Sequence, residues 1–434
     1  MEREFKDSGI EWIGRIPKEW NVCSIKSYCH SIYSGGTPQS NNPYYWDGNI
    51  PWIPSGACQN RLIYSASKFI TKEGYENSST KFIPAYTTVM AMTGATCSNV
   101  GYVLFETCMN QSVIAYIENK SRAYSKFLYY LLQGAQEEIL THQTGGAQSG
   151  INGEDCKNLK VPFVPLPEQR RIADYLDKKC GELDELIALQ EQMIAQLTDY
   201  KQSVITEAVT KGLNPDAELV PSGIDWIGDV PKGWNIVPLR YLGRTQNGIS
   251  QSGDYFGEGF PFVSYSDVYK NYSLPSIFNG LAKSSKQDQK LFSVIEGDVF
   301  FTRTSETIDE IGFSSVCLKT VENAVFAGFL IRFRPYKNKI DKNFSKYYFR
   351  SNIHRAYFVK EMNLVTRASL SQELLKSLPV LLPPLSKQHA IATYLDSKCS
   401  EIDSLIAIKQ QKIETLKDYK KSVIYEAVTG KMTV

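Results

Sequence analysis

The chain has 434 residues, enough for two to four domains of ordinary size. Hydrophobic residues make up 42% of the chain and charged residues 22%, a composition that excludes a disordered or fibrous protein. Lys and Arg total 48 against 46 for Asp and Glu, so the net charge of +2 lacks the basic excess typical of a nucleic-acid binder. Any such function must depend on local patches.

Nine cysteines are scattered along the chain without a Cys-x-x-Cys pair, an arrangement typical of free thiols in a reducing compartment. The start of the sequence, MEREFKD, is charged from its second residue and is followed by no apolar stretch, so we expect no secretory signal. No run of about 18 apolar residues occurs, which excludes an ordinary transmembrane helix. We therefore expect a cytoplasmic protein.

The most informative feature is an internal repeat. Residues 8–21, SGIEWIGRIPKEWN, return at residues 222–235 as SGIDWIGDVPKGWN, and a second block at residues 169–180 returns at residues 388–399. The residues between these blocks align poorly. We interpret the chain as two copies of one architecture. The repeated blocks, which we call the frames, make the same contacts twice in a pseudo-twofold arrangement, whereas the residues between them, the interiors, recognise two different targets. An old duplication whose interiors merely drifted is the alternative.

The two interiors, residues 22–160 and 236–379, mix short β-prone runs with Gly- and Pro-marked turns and at least one helix each. This mixture predicts an α+β fold. The sequence Gly-Gly-Thr-Pro at residues 35–38 is either a loop that approaches a phosphate or sugar closely or a plain turn. The aromatic run at residues 44–53 has a weaker echo at residues 255–263.

Several side chains in predicted loops can read base edges, because Arg pairs with guanine and Asn or Gln pairs with adenine through two hydrogen bonds. The candidates are Thr37, Gln39, Thr93, Asn99 and Gln148 in the first interior and Arg303, Arg332 and Arg367 in the second. Each of them is alternatively an ordinary solvated side chain.

Each copy ends in a long predicted helix with apolar residues at heptad spacing. The seam positions that we expect to pack the helices together or to contact a partner are Leu176, Leu183, Leu186, Met193, Leu197, Leu395, Ile402, Leu405 and Leu416. Gln190 and Lys409 share one seam position, where a polar group can fix the register. Matching seams predict an antiparallel coiled coil that separates two globular units; otherwise each helix packs on its own domain.

The sequence contains no recognisable catalytic or metal-binding constellation. Its four histidines are far apart, no zinc-ligand spacing is present, and neither a nucleophile elbow nor a phosphate-binding P-loop occurs. Asn42-Pro43-Tyr44 lacks the second proline of the adenine-methyltransferase loop. We therefore expect no catalytic residues and no metal ligands in this chain.

The order of these parts, over essentially the whole chain, resembles the specificity subunit of type I restriction-modification enzymes. The resemblance is carried by Gly-Gly-Thr-Pro at residues 35–38, by YWDGNIPWI at residues 45–53, and by the turns Leu-Pro-Glu-Gln and Leu-Ser-Lys-Gln that begin at residues 166 and 385. The second copy departs from this pattern at residues 247–251, where it has Asn-Gly-Ile-Ser-Gln.

The resemblance implies two target recognition domains, residues 1–165 and 213–384, each reading one half of a bipartite asymmetric DNA sequence. The helices, residues 166–212 and 385–434, would pair antiparallel as the spacer that sets the distance between the half-sites. Because DNA half-sites lie about one helical turn or 34 Å apart, a rigid spacer made of two long helices is suited to holding two recognition domains at that distance.

The resemblance further implies a non-catalytic subunit that binds no cofactor itself. It would dock two modification subunits, which methylate adenine with S-adenosylmethionine, and in the full complex restriction subunits, which use ATP and Mg. Docking would involve the helices and residues 8–20 and 222–234.

Two other function classes are compatible with the repeat and the seam. A two-headed structural adaptor would bind proteins and show no preference among DNA sequences. A methyltransferase or nuclease with unrecognised motifs would act on DNA without any partner.

Overall fold

The computed structural model describes residues 3–145, 149–305, 311–354, 357–358 and 368–434. The chain forms two compact units. Unit 1 comprises residues 1–191 and 410–434, and unit 2 comprises residues 192–409. Each unit therefore contains part of both long helices, whereas our division of the sequence sets the helices apart as separate segments.

Unit 1 combines short strands with helices, as the α+β class requires. Its strands are β1 (Phe5–Asp7), β2 (Arg15–Pro17), β3 (Asn21–Ser24), β4 (Cys29–Ser34), β5 (Trp46–Ile53), β6 (Arg61–Ile63), β7 (Lys68–Ile70), β8 (Thr87–Ala91), β9 (Val100–Val103), β10 (Cys108–Met109), β11 (Val113–Glu118) and β12 (Lys160–Phe163). Its helices are α1 (Lys72–Glu76), α2 (Ser125–Gly134), α3 (Gln136–Thr141), α4 (Gly153–Asn158) and the first part of α5 (Leu166–Lys211).

Unit 2 has the same mixture of elements. Its strands are β13 (Leu219–Pro221), β14 (Asp229–Pro231), β15 (Asn235–Pro238), β16 (Gly243–Asn247), β17 (Phe256–Val263), β18 (Leu281–Ala282), β19 (Val299–Thr302), β20 (Thr304–Ser305), β21 (Ser314–Val316), β22 (Val325–Phe326), β23 (Leu330–Pro335), β24 (Ala368–Ser369) and β25 (Pro379–Leu382). Its helices are α6 (Tyr265–Lys270), α7 (Lys286–Leu291), α8 (Lys342–Tyr348), α9 (Gln372–Ser377) and the first part of α10 (Leu385–Val428).

The main sheets of the two units share four corresponding strands, and unit 1 adds β6 as a fifth. The strand order is β4-β11-β8-β9-β6 in unit 1 and β16-β23-β19-β21 in unit 2. Strand β11 runs antiparallel between β4 and β8, as β23 runs antiparallel between β16 and β19. The repeat therefore extends through the interiors, whose sequences align poorly but whose folds match.

A smaller sheet explains the aromatic echo between the two interiors. Strand β5 pairs antiparallel with β7 and parallel with β10, and β17 pairs in the same directions with β18 and β22. The register shifts between Trp46 and Ile50 in β5, and between Phe256 and Phe260 in β17. The two aromatic runs thus form the same irregular strand.

Each unit buries one main apolar core between its sheet and its helices. In unit 1 the core includes Tyr116 of the sheet, Phe127 of α2 and Leu176 of α5. In unit 2 it includes Phe333 and Leu395. Full burial of each such side chain stabilises the fold by about 1.5–3 kcal/mol, so the long helices are integral to both cores.

Both long helices end where a glycine adopts the left-handed conformation. Gly212 follows α5 with φ 77°, and Gly430 follows α10 with φ 74°. Proline residues precede each helix in the sequence and cannot continue it backwards. Helix α5 nearly fills the segment 166–212 assigned to it, whereas α10 ends at Val428, before the end of the segment 385–434.

Within unit 1 the segments of α5 and α10 run antiparallel. The indole Nε1 of Trp20 donates a 2.9 Å hydrogen bond to Glu168 at the start of α5. The same ring lies against Gly430, just after the end of α10, where an added Cβ would be 2.8 Å from it. Further along both helices, Asp184 and Lys420 form an ion pair of 2.7 Å.

The predicted seam residues differ in burial. Leu176, Leu183, Leu395 and Ile402 are buried, whereas Met193, Leu197 and Leu416 are half-buried. Leu186 and Leu405 are 43% and 47% exposed, so they contribute to neither core. The heptad count assigned both to the packed seam, but the packed stripe runs through the other apolar positions of the helices. Their exposure is compatible with the other role predicted for them, contact with a partner.

Candidate nucleic-acid interface

At one end of the unit 1 sheet, backbone hydrogen bonds join three loop segments. These bonds are Gly35 N to Val113 O (3.1 Å), Gly36 N to Met109 O (2.9 Å) and Met92 N to Ser112 O (2.8 Å). A Cβ on Gly35 would lie 1.9 Å from the Met109 carbonyl oxygen, so the chain approach requires glycine here. We call residues 35–39, 92–94 and 110–112 the loop end of unit 1.

Unit 2 builds the same arrangement. The corresponding bonds are Gly248 N to Leu330 O (3.3 Å), Ile249 N to Phe326 O (2.9 Å) and Arg303 N to Phe329 O (3.0 Å). A Cβ on Gly248 would lie 2.2 Å from the Ala327 carbonyl oxygen. Gly248 therefore takes the place of Gly35, although Gly-Gly-Thr-Pro is not repeated. Residues 248–251, 303–304 and 327–329 are the loop end of unit 2.

Three of the base-reading candidates of the first interior lie at the loop end of unit 1. The Thr37 hydroxyl donates a hydrogen bond to the Gln111 side-chain oxygen. Gln39 is exposed, and Thr93 is half-buried and bridges to Gly150. Asn99 is half-buried in the segment between β8 and β9. Gln148 lies outside the described residues.

The second-interior candidates have different environments. Arg303 is half-buried at the loop end, at the position that Met92 occupies in unit 1. Arg332 is 6% exposed, and one of its guanidinium nitrogens donates to the Ser293 carbonyl oxygen at 2.6 Å. Burial, helped by nearby Arg334, lowers the pKa of Arg332 to about 10, so it stays charged at neutral pH. Arg367 lies outside the described residues.

The burial of Arg332 gives it a structural role that sequence reasoning did not anticipate. Its guanidinium also donates to the Gln246 side-chain oxygen and lies 5.2 Å from the centre of the Phe326 ring. These contacts tie β23 to β16 and to the segment after α7. Contact with a base is not tested by this geometry and stays a prediction.

The Asp177 carboxylate on α5 links this helix to α2 of unit 1. The Tyr130 hydroxyl donates a 2.5 Å hydrogen bond to Asp177, and the Lys126 ammonium lies 3.2 Å from the same oxygen. Burial raises the pKa of Tyr130, and the bond to Asp177 raises it further, so the phenol remains a donor. The Lys126 side chain is only 11% exposed.

Unit 2 repeats this cluster on α10. The Tyr347 hydroxyl donates a 2.7 Å hydrogen bond to Asp396, and Lys346 donates to the same oxygen. In unit 2 the lysine directly precedes the tyrosine, whereas in unit 1 Lys126 lies four residues before Tyr130. The same charged contact is thus built from different helix positions.

Two buried glutamines, which sequence reasoning missed, tie the long helices to the domains. Gln169 is fully buried, accepts a 2.9 Å bond from Tyr124 N and donates to the Val164 carbonyl oxygen at 2.8 Å. Gln388 accepts a 2.8 Å bond from Asp341 N and donates to a carbonyl at 2.8 Å. The signal was their recurrence within the repeated block, but the residues that donate to them, Tyr124 and Asp341, lie far away in sequence.

Both long helices also present exposed apolar side chains at repeat-equivalent positions. The pairs are Leu186 (43%) with Leu405 (47%), Leu189 (45%) with Ile408 (59%), and Tyr200 (56%) with Tyr419 (48%). Members of each pair are 219 residues apart, which is the offset of the helical repeat block. Exposed apolar residues in recurring positions are typical of a protein-binding surface.

The described parts of the chain contain no group of three or more His, Cys, Asp or Glu residues arranged to hold a metal ion. None of the helices in them is both long enough and apolar enough to cross a bilayer.

Comparison with known proteins identifies the family. The family profile for the type I restriction modification DNA specificity domain matches residues 17–199 and again residues 231–418. The type I restriction enzyme MjaVIII specificity subunit of Methanocaldococcus jannaschii is 25% identical, with 97% of this chain and 94% of that protein covered. The EcoKI specificity subunit of Escherichia coli strain K12 is 22% identical, with 97% and 90% covered.

Solved structures have the same fold. A chain from a study of complex assembly and conformational transition of the type I R-M system matches with a TM-score of 0.72 at 18% identity, covering 96% of this chain and 99% of that one. The HsdS subunit from Thermoanaerobacter tengcongensis matches with a TM-score of 0.50 at 17% identity, covering 96% and 98%. The two segments that the family profile matches contain 183 and 188 residues, together 371 of the 434 in the chain. This chain belongs to the type I restriction modification DNA specificity family.

Proposed function

We propose that each unit reads one half of a bipartite, asymmetric DNA sequence through its loop end. The observation that carries this proposal is that one fold is built twice with different side chains at the same sheet end. Unit 1 has Thr37 and Met92 where unit 2 has Ser250 and Arg303. Two equivalent frames with different loop chemistry suit two different half-sites.

The remaining predicted readers are part of the same proposal. Gln39, Thr93 and Asn99 would contribute in unit 1, as would Gln148. Arg367 would contribute in unit 2. Arg332 would support the strand behind the loop end, because its guanidinium is held by internal acceptors.

The helices are proposed to set the distance between the half-sites and to dock two modification subunits. The exposed apolar pairs, of which Leu186 and Leu405 are the first, support two equivalent docking surfaces. Every residue of the surface on α5 has its counterpart on α10 at the same sequence offset. Restriction subunits would join in the full complex. The segments 8–20 and 222–234 would take part in docking.

The chain itself is proposed to be non-catalytic and to bind no cofactor. S-adenosylmethionine would be used by the modification subunits, and ATP and Mg by the restriction subunits. Family membership supports this division of labour, because the relatives described above are named as specificity subunits. The complex would work in the cytoplasm, where the nine free thiols of this chain stay reduced.

Sequencing of methylated bases tests the proposal. The chain is produced together with its modification subunits in a host without other adenine methylation, and the control host receives the modification subunits alone. We expect one two-part motif, methylated at adenine in both halves, only when the chain is present. A protein adaptor would give no motif. Methyl transfer by the purified chain alone, measured with labelled S-adenosylmethionine, would contradict the non-catalytic role.

A further inference from the structure

We propose that Gln111 in unit 1 and Phe329 in unit 2 are base-contacting residues through which the two units differ in specificity. This inference rests on the proposed function. Neither residue belongs to the repeated blocks. Each lies in the short segment that leads into the second strand of the main sheet, which is β11 in unit 1 and β23 in unit 2.

The strand register shows that these segments correspond. Val113 pairs with Ala91 in unit 1, and Leu330 pairs with Thr302 in unit 2. Counting back from these first strand residues, position 111 corresponds to 328 and position 112 corresponds to 329. The backbone agrees, because Met92 N donates to the carbonyl of residue 112 and Arg303 N donates to that of residue 329.

The long side chain lies at the first of these two positions in unit 1 and at the second in unit 2. In unit 1 the long side chain belongs to Gln111 and contacts Thr37. In unit 2 the corresponding residue is Gly328, and an added Cβ there would lie 2.2 Å from the hydroxyl of Ser250, the counterpart of Thr37. The long side chain of unit 2 is instead that of Phe329, one residue later. The same pair of loops thus presents different groups.

In unit 1 the chemistry is that of a positioned amide. Gln111 is exposed, and the Thr37 hydroxyl donates to its side-chain oxygen. This contact leaves the amide NH₂ as the group that can donate to an acceptor on a base edge. Because the contact is made before DNA arrives, binding orders the side chain at a smaller entropic cost.

In unit 2 the chemistry is apolar. Phe329 is 65% exposed, although its carbonyl oxygen is held at 3.0 Å by Arg303 N, so a large ring is displayed from a fixed backbone. Aromatic and methyl groups recognise thymine through its C5 methyl. The neighbouring Arg303 supplies a guanidinium at the same loop end, which suits an adjacent guanine.

The same strand provides a matched control. Tyr336 follows the last residue of β23 and is 42% exposed, so it is an exposed aromatic side chain at the opposite end of that strand. The variants are Phe329→Ala, Tyr336→Ala and Gln111→Ala, each assembled with the modification subunits. Methylated motifs are sequenced, and initial methylation rates are measured on duplexes with single-base changes.

We expect Phe329→Ala to relax one base position in one half of the motif and to lower the preference for the correct base there by about tenfold. Gln111→Ala should relax a position in the other half only, and Tyr336→Ala should leave the motif unchanged. Phe329→Leu should retain more preference than Phe329→Ala, because leucine keeps part of the apolar contact. An unchanged other half of the motif separates lost base contact from loss of folding.

An unchanged motif in both Phe329→Ala and Gln111→Ala would overturn this inference, as would relaxation of the same half by both. If the unaltered chain yields no motif at all, the proposed function itself fails. The two failures are therefore distinguished by the unaltered complex.

Discussion

The hydroxyl of Tyr130 on α2 donates a 2.5 Å hydrogen bond to Asp177 on α5. The bond joins the helix that packs on the unit 1 sheet to the first long helix, and the ammonium of Lys126 adds a charge to the same oxygen. Unit 2 has the same set around Asp396 with its lysine at a different helix position. The same type of contact therefore joins a long helix to a shorter helix earlier in the chain in both units.

Asp177→Asn is expected to destabilise unit 1, because Lys126 then loses the negative charge beside it. The free energy of unfolding should fall by about 1 kcal/mol, which is less than for a fully buried charged hydrogen bond, since the Asp177 side chain is 42% exposed. Urea unfolding measures the change. Glu185→Gln is the control, because it makes the same substitution at an exposed position of α5. Equal stability of both variants would refute the structural role of the contact.

Gly35→Ala and Gly248→Ala are expected to destabilise their units by about 2–4 kcal/mol, because each new Cβ meets a backbone oxygen that cannot move aside. Gly56→Ala is the control, since a Cβ there has nothing within 4 Å. Thermal unfolding of the three variants tests this. If Gly35→Ala unfolded at the same temperature as Gly56→Ala, the loop end would not be tightly packed.

Alkaline pH is expected to destabilise the folded chain. Burial raises the pKa of the Cys29, Cys58 and Cys108 thiols to about 12 from the ordinary 9.0. Above pH 9 the unfolded chain releases these protons while the folded chain retains them. The unfolded state then binds fewer protons, so the free energy of unfolding falls as pH rises from about 9 to about 12.

Urea unfolding at about pH 7.5 and at about pH 10 checks this prediction, because these values lie below and above the ordinary thiol pKa. The same thiols should react slowly with iodoacetamide in the native chain at the lower pH and rapidly after unfolding. Stability that stayed level or increased at the higher pH would show that the thiols are not buried as described.

Leu186→Asp and Leu405→Asp are each expected to remove one modification subunit from the complex. Both side chains are exposed, so thermal unfolding of the isolated chain should hardly change. The affinity of a modification subunit for the altered surface should fall at least about tenfold, as expected for a residue at the centre of an interface. The mass of the purified complex gives the stoichiometry, with Glu185→Ala as the control. Two bound subunits in both aspartate variants would place docking elsewhere.

The frames of the two units were predictable from the sequence because the same residues recur at fixed offsets. Leu176 and Leu395 mark the long helices, whose lengths follow from preceding prolines and the glycines after them. The heptad pattern did not distinguish the buried stripe from the exposed one that contains Leu186, since both consist of apolar residues at helical spacing. Only tertiary packing decides which stripe is covered.

The loop ends were less predictable because their partners are distant in sequence. Gly248 matches Gly35 through its backbone bond to Leu330 and its approach to Ala327, neither of which a local pattern reveals. Arg332 looked like a surface group, yet β23 is covered on both faces, and alternation along a strand does not indicate two-sided burial. Gln111 and Phe329 carry no sequence signal, because only the strand register aligns position 111 with 328 and position 112 with 329.

The central claim is that each unit reads its own half-site, and an exchange of one interior tests it most directly. Residues 22–160 are replaced by the corresponding interior of a relative with a different motif, and methylated bases are sequenced in the assembled complex. We predict that one half of the motif changes to that of the relative, while the other half and the number of bases between them stay the same. A change in both halves would contradict the account.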